Sequence, residues 1–195
     1  MASLALALSL AACGGGDGGS NPLGLPDKVS NPLNTGGLKL SFAYFQRCIN
    51  PILLAQLPAI GGGSFTNSCA GAGCHDTRTG AGGALRIVPG AQAFDMSDAA
   101  NTPAVIRASD MYKNFYSTQG AVVVGSPSQS RLLTKPLLQV LHGGGQIFQD
   151  ASDVNVARFA YWINHPMPKG QDEFSTAAAA LFSPQNVQTG ACLPL

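Results

Sequence analysis

The chain has 195 residues, a length that suits one domain with extended loops. It is 45% hydrophobic and 11% charged, enough apolar material for a buried core. A net charge of +1 excludes the basic surface of a nucleic-acid binder or a polybasic membrane patch, and Gly 24 with Pro 13 forecasts much irregular backbone.

In chain order, Ser3 to Leu10 is an apolar run too short to span a bilayer, and it ends in Leu10-Ala11-Ala12-Cys13. That ending resembles the lipobox of bacterial lipoproteins. The resemblance implies a signal peptide over residues 1–12 and lipidation of Cys13, and an ordinary signal peptide cut near Ala12 is the alternative. The first basic residue is Lys28, so a charged leader is missing and the start codon reads as placed late. Either version implies export. Gly14 to Ser20 is Gly/Ser-rich and reads as a flexible coil, so residues 13–37 form a tether from lipid to domain. Gly14, where an Asp would retain a lipoprotein in the inner membrane, implies the outer membrane on the same resemblance.

The domain is expected over residues 38–170. Phe42, Phe45, Ile49, Ile52 and Leu53 recur at helical steps, so Leu38 to Leu57 reads as a helix kinked or divided by Pro51. Thr102 as N-cap and Pro103 at the first position open a helix running to Tyr116. Ala121 to Val124 reads as extended. Ser128 can cap a helix to about Leu141, with Pro136 as a kink. A last helix covers Val154 to Asn164, with an N-cap among Asp150 to Asp153. Residues 171–195 form a tail with an alanine-rich turn or helix over Ser175 to Phe182.

The chemistry concentrates at Cys69-Ala70-Gly71-Ala72-Gly73-Cys74-His75. Two thiols before a histidine are what covalent haem attachment needs: each thiol adds to a vinyl group and the adjacent imidazole faces the iron. The usual spacing is Cys-x-x-Cys-His, whereas four small residues separate the cysteines here. A local disulfide and half of a zinc site are the rival readings, although zinc asks for four ligands and no second Cys/His pair lies close.

The motif, together with Asn50-Pro51-Ile52-Leu53 ahead of it, Leu85-Arg86-Ile87 behind it and Gly125-Ser126-Pro127-Ser128-Gln129-Ser130-Arg131-Leu132-Leu133, resembles bacterial c-type cytochromes over Phe42 to Pro168. The resemblance implies a mostly α, cytochrome c-like helical domain with long Gly/Pro-rich loops around one covalent haem c. Cys69 and Cys74 would carry the thioethers and His75 one axial position. Arg131 and Lys135 are candidate propionate contacts. The second axial ligand in that family comes from a loop just before the final helix. That place holds His142, followed by three glycines, so His75 and His142 are the expected axial pair. Met167 is the rival, but it follows the last helix, as does His165. With Cys13 assigned to lipid and Cys69 and Cys74 to haem, Cys48 and Cys192 remain and are expected to pair.

The resulting expectation is a lipid-anchored monohaem cytochrome transferring single electrons to redox partner proteins. It would sit on the periplasmic side of the outer membrane or at the cell surface, self-assembly remaining open. No catalytic constellation stands out, and Glu173 reads as a lone carboxylate. The main alternative is a cofactor-free lipoprotein stapled by Cys69–Cys74 and Cys48–Cys192 and serving as a structural or filament-forming subunit. A His75/His142 metal-delivery protein and a haem protein with an open sixth position are the others.

Overall fold

In the computed structural model, residues 37–58, 60–61 and 66–195 are described, all within the compact unit Asn31–Leu195. The expected signal peptide, Cys13 and nearly all of the tether lie outside them. Helices dominate the regular structure, and the strands are four two-residue pieces. No described helix is long and apolar enough to cross a membrane.

The first helical stretch, expected to be kinked or divided by Pro51, runs from Phe42 to Leu54 as three consecutive segments. Helix α1 (Phe42–Tyr44) starts at Ser41, whose hydroxyl accepts the Tyr44 N–H. A π-helical turn over Phe45–Ile49 follows, then α2 (Asn50–Leu54) with Pro51 in its first turn. Proline cannot donate to an i−4 carbonyl, and a wider turn just before it absorbs that loss without breaking the rod. Strand β1 (Leu57–Pro58) then pairs antiparallel with β2 (Thr66–Asn67).

The helix expected from Ala104 to Tyr116 is divided. Helix α3 (Pro103–Arg107) begins at Thr102 as anticipated, but Ser109 caps a new helix, α4 (Asp110–Gln119), by accepting the Tyr112 N–H. A second good N-cap inside an apolar run competes with continuation of the first helix. Ala121 to Val124 is not a strand: Ala121 and Val122 donate back to Thr118 and Gln119, turning the chain.

The expected helix from Ser128 to Leu141 shrinks to a 3₁₀ turn at Pro127–Gln129 and a single turn, α5 (Arg131–Thr134). Pro136 and the left-handed Leu138 (φ 55°) stop it. Helix α6 (Val154–Asn164) is capped by Asp153, which accepts the Asn155 N–H. The alanine-rich tail segment is a 3₁₀ helix, Thr176–Leu181, running into β3 (Phe182–Ser183), which pairs with β4 (Ala191–Cys192).

The core forms where α1 and the π-helical turn meet α4 and α6. Phe42, Phe45, Phe115 and Trp162 are buried there in edge-on and tilted contacts 5.4–6.2 Å apart. Trp162 also donates its indole N–H to the Ser41 carbonyl at 3.0 Å, so the bulkiest side chain is both packed and hydrogen-bonded. Met167 belongs to this core: it is buried, and its N–H donates to Lys39 O at 2.7 Å.

Two clamps hold the tail. Cys48 and Cys192 form a disulfide across 144 residues, with Cα atoms 5.9 Å apart. Glu173, read from the sequence as a lone carboxylate, is buried and bound by Arg107 at 2.9 Å and by the Tyr112 hydroxyl at 2.8 Å. Burial alone would raise its pKa. Its own backbone N–H, Tyr112 and Arg107 outweigh burial and hold the carboxyl below its ordinary range.

Replacing both Cys48 and Cys192 by Ser removes a long cross-link worth up to about 5 kcal/mol on the chain-entropy model, so the urea midpoint should fall markedly. Glu173→Gln should cost about 1–2 kcal/mol near neutral pH. A carboxyl with a depressed folded pKa stabilises above its unfolded pKa and loses that contribution as pH falls through the folded value. The gap between wild type and Glu173→Gln, measured by urea titration at several pH values, should therefore close on acidification.

Candidate functional site

The cysteine motif is docked on the first helical stretch through one carbonyl. Leu53 O, at the end of α2 and without a helical partner, accepts the Ser68 hydroxyl at 3.1 Å and the Ala70 N–H at 3.0 Å. From there the chain coils tightly: Gly71 N–H donates to Ser68 O, Cys74 N–H to Gly71 O, and His75 N–H to Cys69 O. The four residues between the cysteines are thus folded into turns, which brings His75 back beside Cys69. Both thiols are free and half-buried. Asn67 Nδ2 donates to Cys74 Sγ at 3.4 Å. Burial, followed by the neighbouring Cys74, pushes the Cys69 thiol up to about 11, so it stays protonated at neutral pH.

His75 is fixed on three sides. Its carbonyl accepts the Ile87 N–H at 2.7 Å, and Thr77 N–H donates to Ile87 O at 3.0 Å, a parallel bridge between the two segments. Its ring Nδ1 lies 3.0 Å from Leu85 O. A carbonyl only accepts, so Nδ1 carries the proton and Nε2 presents a lone pair. Burial is the main cause holding this imidazole below its usual pKa, and the Leu85 carbonyl opposes it only in part; the nearby His142, Arg86 and Lys135 lower it further. The neutral, metal-binding form is therefore favoured.

The partner segment is itself held by α4. Ser117 Oγ accepts Arg86 N–H at 2.7 Å, while Asn114 accepts Val88 N–H at 2.7 Å and donates to Asn50 Oδ1 at 3.0 Å. Sequence reasoning noted Leu85-Arg86-Ile87 but assigned it no hydrogen-bonding duty. It also missed Asn67 and Asn114, which carry no local signal.

His142 lies across a cavity of about 720 Å³ from His75. The two rings have centroids 6.5 Å apart and planes within 12° of parallel. His142 repeats the arrangement of His75: its Nδ1 is 2.7 Å from a backbone carbonyl, that of Gly145, which leaves its Nε2 as the free donor. Metal-bound histidines characteristically donate their other N–H in this way. The 6.5 Å between ring centres leaves room for one group between the two imidazoles, which would hold its metal through the Nε2 of each.

The cavity also receives both free cysteines, Arg131 and Lys135, between apolar walls that include Leu132, Phe148 and Phe159. Arg131 is exposed, and Lys135 Nζ is 3.3 Å from Leu141 O. The sequence-selected Cys69, Cys74, His75, His142, Arg131 and Lys135 are thus gathered around one hollow. Met167, the rival ligand, is not among its walls because it is spent on the core. His165 is elsewhere too, stacked at 4.0 Å on Tyr161 at the end of α6. Among the described residues no three of His, Cys, Asp or Glu converge on one point, which does not suit a tetrahedral zinc site. A haem fits the donor set: two imidazoles bordering one cavity, each with Nδ1 committed to a carbonyl, two free thiols and a largely apolar lining.

Gly82 passes directly over His75. A Cβ there would come within 2.5 Å of the ring Nδ1 and 2.6 Å of Cys74 O, so no other residue fits without moving the imidazole. Gly82→Ala should displace the ring from Leu85 O and cost about 1–3 kcal/mol. Gly90→Ala, which meets open space, should stay within about 0.5 kcal/mol of wild type. Urea midpoints and the His75 imidazole NMR signals would read both. No family model, curated protein or solved structure matches the chain.

Proposed function

We propose that the protein is a monohaem c-type cytochrome that carries single electrons, with Cys69 and Cys74 as thioether anchors and His75 and His142 as axial ligands. The observation that carries this reading is the opposed imidazole pair, 6.5 Å apart and near parallel, each ring with Nδ1 committed to a carbonyl. When bound, the haem supplies the one-electron redox chemistry. The chain's own residues do the rest. The turns from Ser68 to Cys74 present the two thiols, protonated at least at Cys69, on one wall. Leu85 and Gly145 orient the imidazoles. Leu132, Phe148 and Phe159, which line the cavity, would shield the centre from water, and Arg131 and Lys135 would meet the haem carboxylates. Two nitrogen ligands rather than His/Met would set a lower potential.

Lipid anchoring at Cys13, export, and residence at the outer membrane or cell surface belong to the same reading, supported by the leader-like start of the sequence. Redox partner proteins are the implied partners, reached from a membrane-tethered position.

The test is the pyridine haemochrome spectrum after acid-acetone extraction, on protein made in a host with haem c maturation. The expected result is a retained c-type band in wild type and a shifted, single-thioether band in Cys69→Ser. His75→Ala should lose most of the haem, and His142→Ala should keep it while turning high-spin in the optical and EPR spectra. Colourless protein with a Cys69–Cys74 disulfide would instead support the cofactor-free structural lipoprotein.

A further inference from the structure

We infer that His142 is a displaceable ligand, carried on a loop that opens as one piece and yields its side of the metal to a small uncharged diatomic such as carbon monoxide. The inference rests on the bis-histidine reading above and concerns how that site is regulated.

The two histidines are held very differently. His75 is fixed by backbone bonds to Cys69 and Ile87, by its ring bond to Leu85, and by Gly82 packed against the ring; the last three restraints come from outside its own coil. His142 has none of that kind among the described residues. Its loop is closed firmly at the base, where Ile147 and Phe148 N–H both donate to Pro136 O, at 2.8 and 3.2 Å, and Gln139 and Val140 N–H reach Thr134 O. Beyond this base and among the described residues, Leu141 to Gly145 make two internal hydrogen bonds, Gly145 N–H to His142 O and His142 Nδ1 to Gly145 O, and one outside tie, the Lys135 ammonium on Leu141 O at 3.3 Å and exposed.

The piece left to move runs from Leu141 to Gly145, between Val140, whose N–H is bonded to Thr134 O, and Gln146, whose carbonyl accepts the Ile60 N–H at 2.8 Å. Between them Leu141 is 89% exposed and packs on little. Because the ring's hydrogen-bond partner, Gly145, lies in the same turn, the imidazole keeps its tautomer and orientation as the loop swings, ready to rebind. The walls it leaves behind, Pro136, Ile147 and Phe148, are apolar and favour an uncharged ligand. The exchange balances simply: the dative bond from His142 Nε2 to ferrous iron breaks, one from the carbon of carbon monoxide forms, and no electron or proton leaves.

The experiment uses the haem-loaded protein reduced with dithionite. Wild type should start low-spin and six-coordinate, then bind carbon monoxide with a rate that levels off as concentration rises, the plateau being loop opening. His142→Ala should bind with a rate that stays linear in concentration. Wild type should bind about ten- to hundredfold more weakly, the factor being its closed-to-open ratio. Amide exchange in the same holoprotein should be faster over 141–145 than over 75–87. A six-coordinate wild type whose spectrum ignores carbon monoxide, while His142→Ala responds, would overturn this inference and leave the cytochrome reading standing. Lack of covalent haem, or a five-coordinate wild type before any carbon monoxide is added, would overturn both.

Discussion

The short parallel bridge between His75–Thr77 and the Leu85–Ile87 segment is the constraint on which the candidate site depends. It costs the chain only two peptide hydrogen bonds, yet it fixes three things together. It sets the height of His75, it brings the Leu85 carbonyl to the imidazole, and it forces the intervening loop so close to the ring that Gly82 has no room for a side chain. The bridge in turn leans on α4 through Ser117 and Asn114, and α4 leans on the aromatic core through Phe115. Packing at Phe42 and Trp162 is therefore transmitted to the orientation of one imidazole through a chain of named contacts.

The opposite wall is built on another plan. Proline and a left-handed leucine end α5 after one turn, and the loop that follows carries His142 as a self-bonded turn over a closed base. One side of the cavity is thus rigid by several hydrogen bonds to distant chain, the other mainly by local closure, with Ile60 N–H on Gln146 O as its long-range tie among the described residues. The ion pair of Arg107 with Glu173 and the tail disulfide sit away from both, and they stabilise the scaffold rather than the cavity.

Much of this was legible wherever the signal was local. Thr102 and Asp153 were readable as caps because an N-cap needs only its own side chain and the next turn. The pairing of Cys48 with Cys192 followed from counting thiols, and the position of His142 on the cavity and of Met167 in the core agrees with the order of elements that the family resemblance implied. The misses are of two kinds. Where a local signal went unread, as at Ser109 inside an apolar run, or its outcome stood open, as at Pro51, the structure resolved one by a new cap and the other by a π-helical turn. Where the partner was distant, nothing local marked it. Glu173 looked solitary although Arg107 and Tyr112 await it, and the carbonyls of Leu85 and Gly145 leave no trace in residue type.

The bridge from Cys48 to Cys192 also has a consequence in time. After Cys13, a chain made from its N-terminus presents Cys48, then Cys69 and Cys74, and Cys192 only 144 residues after Cys48. Closing a short loop costs less entropy than closing a long one, so throughout that interval the wrong thiols are the favoured mates. Correct pairing thus requires that Cys69 and Cys74 be withdrawn from competition before the last segment arrives. The tight coil from Ser68 to His75, hung on the Leu53 carbonyl, draws only on residues made before Cys192, but it leaves both thiols free and half-buried, so the withdrawal must come from a bond to the sulfurs themselves. The order in which the molecule matures is in this sense written into the order of its cysteines.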